Sequence, residues 1–251
     1  TAVGAYSMRD NTTGSNNVAI GYQSLKVNTT GVYNVAMGTS CLVANTTGTS
    51  NVAFGFECLA ANTTGKDNVA IGQSALTANT TGYENTAIGL ESLTTNTTGR
   101  FNVAIGYRTL KLNTTGQNNT AIGRENLTNN TTGNSNVAIG NQSLKQNTIG
   151  DYNVAIGMSS CAANTTGEGN TAIGQTALGA NQTGIANTAI GRSALVGVTE
   201  GDYNIGVGYV AGGAITTSDN NVCVGRNAGD TITTGGNNTF IGALTDGAAI
   251  V

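Results

Sequence analysis

The 251-residue chain has no histidine, no proline and no tryptophan. Without histidine there can be no Ser-His-Asp or Cys-His arrangement and no imidazole-based metal site. Charge is scarce as well. Only 9% of residues are charged, the net charge is −3, and the ten cations are scattered singly. No patch can neutralise a run of phosphates, so nucleic acid is not an expected partner. No apolar run approaches the ~20 residues that cross a bilayer, so no membrane insertion is expected. The opening T-A-V-G-A-Y-S-M-R-D lacks the basic and apolar regions of a signal peptide, which suggests a processed chain or a segment of something longer. The four cysteines, Cys41, Cys58, Cys161 and Cys223, are too few and too irregular for a disulfide framework or a zinc site.

Glycine (37 residues), Asn and Thr fill much of the chain, yet the apolar residues recur at a fixed spacing that disordered segments lack. The unit is N-[VT]-A-I-G-x-x-[SA]-L-x-x-N-T-T-G-x-x. It starts at Asn17 and returns every 17 residues to Asn238 without insertion or deletion. A period of 17 matches neither the helical nor the heptad repeat, and Gly, Asn and Thr with β-branched Val and Ile favour short strands and tight turns. The expected fold is all-β: a parallel β-solenoid, or β-roll, of about fifteen coils. Each coil is read as two strands, N-V-A-I and roughly S-L-x-x. At ~4.8 Å per coil the stack would be roughly 70 Å long.

The glycine after Ile is present in every unit, as at Gly21, Gly72, Gly106 and Gly140, which suggests positive φ or a close approach that excludes a Cβ. The apolar residue before it (Ile20, Ile71, Ile105, Ile139) and the leucine column (Leu25, Leu76, Leu110, Leu144) are read as the core. Leucine becomes Gly212 and Gly229 in the two units where the Asn of N-T-T-G becomes Ile215 and Ile232. Volume thus shifts between columns, as it would if both faced one narrow interior. The column Asn28, Asn45, Asn62, Asn79, Asn96 and Asn113 then faces inward as an amide ladder; an exposed Asx turn is the alternative. These columns divide the chain into a regular shaft over residues 1–195 and a variant end over 196–251, with the solenoid expected to stop where Asp246 enters the leucine column.

The string N-[VT]-A-I-G-x-x-[SA] resembles the head repeats of YadA-like trimeric adhesins. The longer unit with N-T-T-G, and the variant from Asn220 to Gly242, resemble phage tail-fibre repeats. The resemblance covers essentially the whole chain. It implies a homotrimeric fibre, extracellular, on a cell surface or on a virion, that presents a surface to a host receptor or glycan. A meagre core also points to association, sideways or end to end.

No enzyme, cofactor or metal is expected. Glu57, Glu91, Glu125 and Glu168 stand isolated on variable columns, and the G-x-G at Gly206 and Gly208 lacks the helix a phosphate loop needs. No Asp column marks a calcium-binding roll. Cys41 and Cys58 share one column a coil apart and read as buried fillers, with a disulfide as the alternative. Glycosylation of N-T-T is disfavoured, because glycans on successive rungs would collide. Paired Thr columns leave an ice-binding reading open, although only one of the two can face outward. The aromatics Tyr22, Phe56, Tyr107 and Tyr209 after the turn, and Tyr33, Phe101, Tyr152 and Tyr203 before the next Asn, could contact a ligand or cover subunit seams.

Overall fold

A computed structural model describes residues 1–243. The chain divides into two compact units, Thr1–Arg124 and Glu125–Val251. The expected change of composition after Leu195 falls inside the second, and Asp246 lies outside the described residues.

Each unit is a parallel β-solenoid. In the first, strands run in sequence order from Ala2–Val3 to Thr120–Arg124; in the second, from Val137–Asn141 to Thr239–Ile241. Pairing is in register at one repeat: Val35 beside Val52, Ala36 beside Ala53, Met37 beside Phe54. The described residues contain no helix.

Each coil has one strand, not two. The segment expected as a second strand, around S-L-x-x, is a run of turns. Its leucine sits at positive φ, +51° at Leu25 and +54° at Leu76, as does the residue two before it. A side chain in this left-handed region costs roughly 1–2 kcal/mol. Full burial of a leucine returns roughly 1.5–3 kcal/mol, so the column persists. The strain also closes the coil, because αL residues turn the chain where a strand would run on.

Hydrogen bonding between coils continues beyond the strand. Val35 N–H donates to Asn51 O of the next coil (2.8 Å), Gly38 N–H to Ile20 O of the previous one (2.7 Å), and Leu42 N–H to Cys58 O (3.0 Å). The turns are therefore satisfied by stacking, as buried backbone must be.

The expected core needs one correction. Leu25, Leu76, Leu110 and Leu144 are fully buried, but the inward strand residue is the alanine, with Ala19, Ala70, Ala104 and Ala138 all 0% exposed. Alternate strand residues face opposite sides, so the neighbouring Ile20, Ile71, Ile105 and Ile139 point out. Ile71 is 38% exposed and the other three are half-buried. The glycines after them behave as expected, with φ of +130° at Gly21, +124° at Gly72, +121° at Gly106 and +135° at Gly140.

The exchange of volume between columns is visible at Gly212. A Cβ there would lie 2.7 Å from Leu195 Cδ2 and 3.0 Å from Ile215 Cδ1, so those side chains fill the space a leucine would take. The alanine column joins in, becoming Gly206, Cys223 and Phe240 in successive coils.

Candidate functional site

Two amide ladders run through the interior. The expected one is present: Asn28, Asn45, Asn62, Asn79, Asn96 and Asn113 are all 0% exposed. Each donates Nδ2–H to Oδ1 of the rung before, as from Asn45 to Asn28 (2.9 Å) and Asn79 to Asn62 (2.8 Å). A second hydrogen of each amide goes to the glycine carbonyl three residues on, from Asn45 to Gly48 (3.1 Å). In the second unit the same ladder ends at Asn181, because the next coil carries Val198.

The second ladder went unread in the sequence. The Asn that opens the units is also buried from Asn17 to Asn221, and Asn34 donates its Nδ2–H to Asn17 Oδ1 (3.2 Å) and to Gly48 O (2.8 Å). Asn17 Oδ1 also accepts the Asn34 backbone N–H (2.8 Å). The signal was available: this Asn is invariant from Asn17 to Asn238 while its neighbours vary. Gly48 O thus accepts from both ladders.

That shared carbonyl explains the glycine of N-T-T-G without any appeal to φ. A Cβ on Gly65 would press into Asn62 Oδ1 and Gly82 O and lie 2.9 Å from Asn79 Nδ2. Where the ladder amide is replaced by Ile215, Ser218 occupies the glycine position, its Oγ buried and without a partner. The Asn of the N-T-T sequon, 0% exposed from Asn28 to Asn113, is closed to glycans in the folded coil.

The thiols are packing groups. All four cysteines are free and buried. Cys41 Sγ lies 2.7 Å from Gly55 O and Cys58 Sγ 2.7 Å from Gly72 O. The Cys58 thiol hydrogen-bonds toward Cys41 and lowers its pKa, while Cys58 itself is held well above the ordinary value by the same contact and by burial.

The outside is uneven. Among the described residues, all exposed large apolar side chains except Tyr6, Leu112 and Ile149 lie on the strand's outward positions or two residues beyond its ends. In the coil beginning at Asn102, Phe101 and Tyr107 border the strand that carries Val103 and Ile105. The aromatics singled out in the sequence form these borders, with Tyr33 61% and Tyr152 66% exposed. Some are locked by cations: the Arg100 guanidinium lies 5.6 Å from the Phe101 ring centre, and Tyr83 meets Phe101 edge-on at 5.3 Å. Of the paired threonines, the first bonds the next coil, as Thr29 Oγ1–H does to Thr46 O (2.9 Å), and the second, such as Thr30, is exposed.

Of the acids expected to stand isolated at the surface, Glu168 is exposed and Glu57, Glu91 and Glu125 are half-buried, and the last two are ion-paired with neighbouring coils. Glu91 joins Arg108 Nε (2.7 Å) and Lys111 Nζ (2.8 Å), which hold its carboxyl below the usual range, Lys111 first. Glu125 meets Lys145 at 3.1 Å. No group of three metal-binding side chains occurs among the described residues, and no helix among them is long and apolar enough to cross a membrane. No protein family, curated protein or solved structure matches the chain.

Proposed function

We propose that the chain is a non-enzymatic structural segment of an extracellular or virion fibre, giving reach and surface display for attachment. Three copies pack through the outward strand face. The observation that carries this reading is the concentration of exposed apolar side chains on that face in each unit. Contiguous apolar surface of this kind marks an interaction site. A coil whose own interior holds one leucine, an alanine, one further small residue such as Ser24 or Cys41, and two amides gains stability by association. The interior supports a structural role, since its amide hydrogens are committed to ladder bonds. Any receptor or glycan would be met by the bordering aromatics left outside the seams.

Sedimentation or light scattering tests the assembly. A mass of three chains is expected, and a stable monomer at micromolar concentration overturns the reading. Electron microscopy separates a lone fibre segment from the runner-up, a self-assembling filament subunit, which would form long end-to-end threads. The single exposed Thr column, one residue per coil at Thr30, Thr47 and Thr64, favours ice binding as a third reading. Thermal hysteresis would replace the fibre reading with it.

A further inference from the structure

The two ends of the strand face carry opposite charge in the second unit. Two residues before the opening Asn of four coils stand Asp151, Glu168, Asp202 and Asp219, and this column, which holds Asn134, Ile185 and Gly236 in the other coils, has no cation there. At the other end, directly after the turn glycines, stand Arg192 and Arg226, and this column has no acid there. The unit's remaining cation, Lys145, pairs with Glu125. Among the described residues neither arginine has a carboxylate partner and none of the four acids has a cation.

The chain cannot resolve this imbalance by itself. Asp219 Oδ1 accepts the Asp202 backbone N–H at 2.8 Å, which places two acids on adjacent coils, where like charges repel. Asp202 is fixed in the same way by Ile185 N–H (2.8 Å). The arginines are exposed across the strand, and Arg192 is steadied over the Tyr209 ring at 4.6 Å.

We propose that these two rims meet between copies: the acidic rim of one chain lies against the Arg192–Arg226 rim of its neighbour, and this pairing sets the copies parallel. The inference rests on the fibre reading for the existence of the assembly and adds its direction. Copies related by rotation about an axis along the stack bring opposite ends of the strand face together. Antiparallel copies would set acid rim on acid rim. The partner is therefore a second copy of this chain pointing the same way. In equal register Arg226 comes to the level of Asp219, and Arg192 to the coil between Glu168 and Asp202. Rim charges of this kind direct register and orientation more than they add affinity.

The test is a charge swap on the full chain, read by analytical ultracentrifugation at low salt, with circular dichroism as the check on folding. Arg192→Glu with Arg226→Glu should weaken self-association at least tenfold, as should Asp202→Arg with Asp219→Arg. All four substitutions together should restore it. Association unchanged by either pair, or not rescued by the combination, overturns the rim pairing while leaving the fibre reading in place. A wild-type chain that never associates overturns both.

Discussion

Asn181 points its Oδ1 at the coil in which Val198 replaces the ladder amide, and no donor meets it. Every rung before it within the second unit hands its oxygen to the next, as Asn164 does to Asn181 at 2.8 Å. The ladder therefore has an interior, where each amide is both donor and acceptor, and an end, where one acceptor is idle.

Position along the ladder should set the cost of losing a rung. Asn79→Val removes bonds to Asn62 Oδ1 (2.8 Å) and Gly82 O (2.9 Å) and takes the acceptor from Asn96 Nδ2 (2.9 Å). Asn181→Val strands no amide hydrogen in the next coil. Each orphaned buried group costs about 1–3 kcal/mol, so Asn79→Val should lose about that much more stability than Asn181→Val in urea unfolding. Equal losses would contradict the ladder's direction.

Leu76 and Ile71 belong to one coil and should fail differently. Leu76→Ala opens a cavity in the filled interior and should cost about 2–5 kcal/mol. Ile71→Asp should leave the circular dichroism spectrum intact and weaken self-association, since Ile71 is 38% exposed. Unfolding of the coil by Ile71→Asp would return that column to the core.

Gly65→Ala should be more damaging than its small volume suggests. The added methyl meets ladder and backbone atoms that are already bonded, and overpacking of this kind costs about 1–3 kcal/mol or more. Thermal unfolding of Gly65→Ala beside the exposed change Thr64→Ala measures it, and similar midpoints would rule out the shared-carbonyl account.

Alkaline pH should destabilise the chain through Cys161, which occupies the leucine column at 1% exposure. Burial pushes its thiol up to about 12, against 9.0 when exposed. The folded value lies above the unfolded one, so this contribution is complete below the unfolded pKa and is lost as pH rises toward the folded one. The slope is about 1.4 kcal/mol per pH unit. Cys161→Leu restores the column's usual residue and should flatten that part of the slope between about pH 9 and about pH 12. Parallel slopes for the two chains would refute it.

The strand at N-V-A-I, its turn glycine and the inward Asn28 column were legible because each depends on local chemistry repeated in phase. The leucine turn was not, since nothing about Leu25 announces a φ of +51°; the closing of the coil imposes it. Ile20 was misplaced for a related reason. Size argues for the interior, but Leu25, Ser24 and two amides already fill it, and the strand has room only for Ala19 beside them. The second ladder is hidden by its own constancy, because Asn17 and its successors never exchange with another residue and so show no coupling to the other columns. The opposing rims of the second unit lie on variable columns, where charge acquires meaning only once the strand's two ends are located.

The phase of the stack also bears on heredity. Each ladder bond in the Asn28 column joins residues one unit apart, so a unit duplicated or lost by recombination between neighbouring copies leaves every remaining rung matched to its like. A deletion of any other size would set amide against methyl where the coils on either side of the break meet. Length in such a gene can change only in whole steps, and each step is already tested by the coils on either side of it.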